Sequence, residues 1–90
     1  MSTKIIVESL SMDLLRAAMG LHRGSFKMAE KFKAEALKRE KELNSMGTDN
    51  KYLKTILRKS HQALNKADQK TAEDLLMYSI LFQNFARKNL

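Results

Sequence analysis

Ninety residues with 43% hydrophobic and 30% charged side chains, three glycines and no proline suit one helical domain over residues 1–90; they exclude a second core, a disordered chain and a turn-rich all-β fold. With no cysteine, and two histidines 39 positions apart, the chain has no disulfide, no thiolate nucleophile and no short metal-ligand cluster, so no metal or other cofactor is expected. Seventeen Lys and Arg against ten Asp and Glu give a net charge of +7, which favours a polyanion, DNA or RNA, or an acidic protein as partner.

The opening MSTKIIVESLSMD interrupts every apolar run with charge or serine, unlike a signal peptide, so a cytoplasmic location is expected. Apolar spacing of three, four and seven predicts a first helix from Lys4 to Met19 or His22, with Thr3 as N-cap and Gly20 or Gly24 as the stop. Its core stripe is Ile6, Leu10, Leu14, Ala17 and Leu21. A second apolar stripe of Ile5, Met12, Leu15 and Met19 lies on the far side beside Glu8 and Arg16.

The connector GLHRGS, residues 20–25, places two glycines before a helix, as phosphate loops do. Ser25 stands where a P-loop carries lysine and no strand precedes it, so the segment reads as an ordinary helix connector. Arg16 and His22 match the Arg-x5-His spacing of the HEPN ribonuclease family, and the resemblance covers seven residues. Ala17 replaces the polar residue usual in that family, and a straight helix would hold the two side chains about 120° apart.

A second helix is predicted to start after Ser25 and run to about Ser45, ended by Gly47. Lys31 with Glu35, Glu35 with Arg39 and Lys38 with Glu42 pair opposite charges at helical spacing, which reads as a solvated face. A third helix follows the MGTDN break, capped by Asp49 or Asn50 and reaching Ala67. Tyr52, Leu53, Ile56, Leu57, Ser60, Ala63, Leu64 and Ala67 form its core half. Between Asn50 and Ala67 there is no acid, so residues 51–67 contribute +5, against +2 from residues 1–50 and zero from residues 68–90. Lys51, Lys54, Arg58, Lys59, His61 and Lys66 are therefore the expected nucleic-acid contacts, with Lys51, Lys54, Arg58 and His61 in one row about 15 Å long. A helix-turn-helix around Gly47 matches only in part: Leu43 sits where a small residue is expected, and the second helix is about twice the usual length.

TAED, residues 71–74, has the form of a capping box and predicts the start of a fourth helix at Thr71. Leu75, Tyr78, Leu81, Phe82, Phe85 and Ala86 form its core sector, while Leu76, Met77 and Ile80 form a second apolar group that needs a cover. Its apolar run is far short of the roughly 20 residues that span a bilayer, and no membrane partner is expected. No serine, histidine and carboxylate form a recognisable catalytic pattern, so the chain reads as a binder with no small-molecule substrate, not an enzyme.

These readings combine into an all-α bundle of three to four main helices, acting as a small basic regulatory protein associated with nucleic acid through the third helix. The alternative is a protein-binding adaptor or inhibitor, of the phage-regulator or immunity-protein kind. It would use the surplus apolar residues Ile5, Met12, Leu15, Met19, Leu76, Met77 and Ile80, which equally suit a homodimer.

Overall fold

Ser2, in extended backbone, accepts a hydrogen bond from the Ile5 amide and opens the first helix, α1 (Thr3–Arg23). The cap is thus one residue earlier than Thr3, which is already helical. In the computed structural model, which describes residues 2–66 and 68–90, α1 is followed by α2 (Phe26–Met46), α3 (Lys51–Lys66), a 3-10 turn (Gln69–Thr71) and α4 (Ala72–Asn89). There is no strand among the described residues. Ala67, the predicted end of the third helix, lies outside them.

The glycines divide the work that the sequence left open between Gly20 and Gly24. Gly24 adopts φ +71°, the left-handed conformation that ends α1. Gly20 continues the helix, and a Cβ there would stand 2.7 Å from the Ala29 nitrogen, so its bareness lets α1 and α2 approach closely. Asn50 caps α3 through its side-chain oxygen, which accepts from the Leu53 amide at 2.9 Å.

The predicted capping box at Thr71 is displaced by one turn. Asp68 Oδ1 accepts from the amides of Lys70 and Thr71, while Thr71 Oγ1 accepts from the Asp68 amide at 2.9 Å. The reciprocal pair is therefore Asp68 with Thr71, and the chain enters α4 through the 3-10 turn. Thr71 has helical dihedrals and caps nothing with its side chain at Ala72.

The helices run alternately up and down, giving an elongated body of 36 × 20 × 20 Å. Backbones approach closely between α1 and α2 and between α1 and α4, less so between α3 and α4, and least between α2 and α3; the diagonal pairs make no close approach. The closely packed seams carry small residues: Ala17, Ala18, Ala29, Ala36, Ala72 and Ala86 are buried. Ile6, Leu10, Leu14, Leu21, Leu53, Leu57, Leu64, Leu75 and Phe82 fill the centre. Ser11 Oγ donates to the Ser79 carbonyl at 2.8 Å, tying α1 to α4 within this apolar interior.

Tyr52 departs from the expected core half. It is exposed at the first turn of α3 and lies over the Phe85 ring with centroids 6.1 Å apart, covering that ring from outside. Tyr78 and Leu81 are half-buried and pack against the core, whose inner α4 positions belong to Leu75, Phe82, Phe85 and Ala86. On α2 the ion pairs form at three-residue spacing, Lys38 with Glu35 at 3.8 Å and Arg39 with Glu42 at 2.6 Å, in place of the predicted four-residue pairs. Arg39 is half-buried and lines a hollow with Asp13 on the α1 side.

Candidate nucleic-acid interface

Glu40 sits on the inner stripe of α2, four residues after Ala36 and three before Leu43, both of which are buried. It is only 2% exposed. Across the seam, the Ser60 hydroxyl donates to Glu40 Oε2 at 2.6 Å, and His61 Nδ1 lies 3.0 Å from Oε1. Ser60 also approaches the Leu57 carbonyl at 3.0 Å, the ordinary intrahelical partner of a helical serine. One buried carboxylate thus joins α2 to α3, the adjacent helix pair whose backbones approach each other least closely.

Burial pushes the Glu40 carboxyl above the usual glutamate range, against the opposing pull of the Ser60 hydrogen bond and of His61. His61 is held by one ring nitrogen while more than half of its side chain, 55%, remains exposed. With Nδ1 against the carboxylate, the imidazole is oriented and Nε2 is left without a side-chain partner among the described residues. His61, one of the expected contacts, is exposed on α3 and is fixed by an acid from another helix, a partner the sequence did not indicate.

Two depressions meet at His61 and Asn44. One of about 560 Å³ is lined by Leu37, Glu40, Lys41, Asn44, Ser45 and His61. The other, about 320 Å³, is lined by Asn44, Lys54, Leu57, Arg58, His61 and Gln62. Together they form a groove along the α2–α3 seam with Lys41, Lys54 and Arg58 as its cations; its one acid, Glu40, is buried beneath the histidine. The groove unites three of the six predicted contacts, Lys54, Arg58 and His61. Lys51, Lys59 and Lys66 are exposed but line neither depression.

Asn44 and Lys41 were missed because the charges of the second helix alternate in sign along the chain. Glu40 was legible in principle: its spacing from Ala36 and Leu43 puts it on the apolar stripe. The antiparallel pairing of Glu40 with Ser60, far from the Gly47 turn, also removes the helix-turn-helix, whose helices cross steeply at the turn.

The opposite side of α2 carries another polar hollow, about 500 Å³, lined by Glu8, Asp13, Arg16, Glu35 and Arg39 among others. Asp13 is raised above its ordinary pKa by burial, with Arg39 pulling it down, Glu35 pushing it up and Arg16 pulling it down. Three acids against two bases make this hollow unsuited to a polyanion. Arg16 stacks over Phe32 at 5.4 Å from the ring centroid, while His22 is exposed in the last turn of a continuous α1. The HEPN-type pair therefore does not converge. No group of three metal-ligating side chains is found among the described residues.

The predicted interface residues differ in exposure. Ile5, Met12, Leu76, Met77 and Ile80 are exposed, and Leu15 and Met19 are half-buried. No described helix is long and apolar enough to cross a membrane. Comparison with protein-family models, curated proteins and solved structures finds no match to this chain. Its functional reading rests on its own residues.

Proposed function

We propose that the chain is a small nucleic-acid-binding protein whose contact surface is the α2–α3 groove, with Lys41, Lys54 and Arg58 on phosphates and His61 as an oriented donor. The supporting observation is the concentration of cations and amides on both walls of one groove whose only acid is buried. Asn44 and Gln62 add neutral hydrogen-bonding groups that serve phosphate, sugar or base. A hydrogen bond from the Nε2 edge of His61 to phosphate strengthens when the ring is protonated.

The test is fluorescence anisotropy of labelled RNA and DNA with the wild type and a Lys54→Glu, Arg58→Glu double variant. About three phosphate contacts predict a loss of affinity of roughly twenty- to fortyfold between about 50 and about 200 mM salt. The double variant is expected to lose binding with its helical circular dichroism unchanged, since both side chains are exposed. Binding that is insensitive to salt, or retained by the variant, removes this reading.

A separate observation favours a second role for the opposite side of the bundle. The exposed apolar residues of α1 and α4 suit association with a protein, a second copy being the simplest candidate. This surface and the groove lie on different helix pairs, so the two readings are compatible.

A further inference from the structure

Phe26 is 80% exposed, the most exposed large apolar side chain on the described surface. It opens α2, and its angular position is decided by the helix that follows. Lys33, Leu37 and Asn44 lie seven, eleven and eighteen residues further on, all within about 20° of Phe26 on the helical wheel. Leu37 and Asn44 line the groove. Phe26 therefore continues the same wall beyond the end of α3, roughly 21 Å along the axis from the level of Glu40 and His61.

The ring borders an apolar hollow of about 520 Å³, where Gly20, Leu21 and Gly24 meet Asp68 and Lys70. Arg23 and Lys27 lie within three residues of Phe26 in the chain and are exposed, and Lys33 is half-buried two turns further along α2. The opposing acids are Glu30, one turn along α2, and Asp68, whose carboxylate already accepts from two backbone amides. Phe26 lies in line with the cationic groove, about 16 Å along α2 from its nearest lining residue on that helix, Leu37. An accessible ring in line with a cationic groove is an arrangement by which proteins hold unpaired bases: cations follow the backbone, and the ring takes a base that no partner strand covers.

We infer that the groove accepts single-stranded nucleic acid in preference to duplex, with one base stacked on Phe26. This rests on the nucleic-acid reading of the groove and adds the class of substrate. A duplex keeps its bases stacked on one another and offers the ring no free face.

The experiment compares wild type, Phe26→Ala and Phe26→Trp with a single strand of about 12 nucleotides and with its duplex, at low salt. Phe26→Ala is expected to weaken single-strand binding roughly tenfold while leaving duplex binding within about twofold. Phe26→Trp is expected to retain binding and, as the chain has no other tryptophan, to report stacking through quenched emission with the single strand and not with the duplex. Single-strand affinity unchanged in Phe26→Ala, or an unquenched tryptophan in a bound complex, overturns the stacking role. If Lys54→Glu, Arg58→Glu still abolishes binding in that case, the groove reading survives it. Failure of every oligonucleotide to bind the wild type overturns both.

Discussion

A carboxylate buried between helices usually marks either a structural anchor or a tuned chemical group, and Glu40 has the contacts of an anchor: Ser60 and His61 both belong to the neighbouring helix. Its elevated pKa fixes the direction of a pH effect. The folded carboxyl holds its proton to higher pH than the unfolded one, whose ordinary value is 4.5. Protonation therefore favours the fold, and this contribution is complete below about pH 4.5 and lost as pH rises through the folded value. Asp13 acts in the same direction from its lower ordinary value of 3.8. Glu40→Gln keeps an acceptor for Ser60 and removes the buried charge. It is expected to raise the thermal midpoint at pH 7 and flatten its decline between about pH 4.5 and about pH 7, with Asp13 supplying the remaining slope. Thermal unfolding followed by circular dichroism at three pH values checks this, and an unchanged slope would show that Glu40 is not the titrating group.

At the scale of the helix pair, two glycines four residues apart do different work, and substitution separates them. In Gly20→Ala the new methyl meets the backbone of Ala29 at 2.7 and 3.0 Å, so α2 must shift away from α1. A loss of about 1–3 kcal/mol is expected, by the ordinary cost of overpacking. In Gly24→Ala nothing lies within 4 Å of the methyl, and the cost of about 1–2 kcal/mol comes only from holding alanine at φ +71°. Gly24→Asn should recover part of that loss, because asparagine tolerates the left-handed region, while no residue with a Cβ recovers Gly20. Denaturant unfolding of the three variants distinguishes the two causes. Helix existence was legible because apolar spacing is a property of the chain itself. The use of Gly20, and the shift of the capping box from Thr71 to Asp68, depend on neighbours that the chain meets only when folded.

At the scale of the molecule, the same distinction explains which half of the candidate site could be read beforehand. The α3 wall was legible because residues 51–67 contain five basic residues and no acid. The α2 wall, Lys41 and Asn44, becomes part of a site only when antiparallel pairing sets Glu40 against Ser60. On the other side of the bundle, the bond between Ser11 and Ser79 sets α1 beside α4; Ile80 is exposed on α4, and Met12 is exposed on α1 at the hollow it shares with Glu35 and Arg39 of α2. The exposed apolar groups of Met12 and Ile80 line neither depression of the α2–α3 groove. If a second copy covers these groups, the wild type has a mass of twice 10.4 kDa in solution and binds two oligonucleotides per dimer. Ile80→Glu then places a charge in the interface and is expected to return the protein to 10.4 kDa. Because Ile80 is 49% exposed in the single chain, the variant should fold as well as the wild type. Light scattering coupled to size exclusion reads the mass directly, and a wild type already at 10.4 kDa would assign this surface to a different protein or to none. Oligonucleotide affinity per groove should be unchanged by Ile80→Glu, because the groove lies on the opposite helix pair; a parallel loss of both properties would mean that association builds the nucleic-acid site.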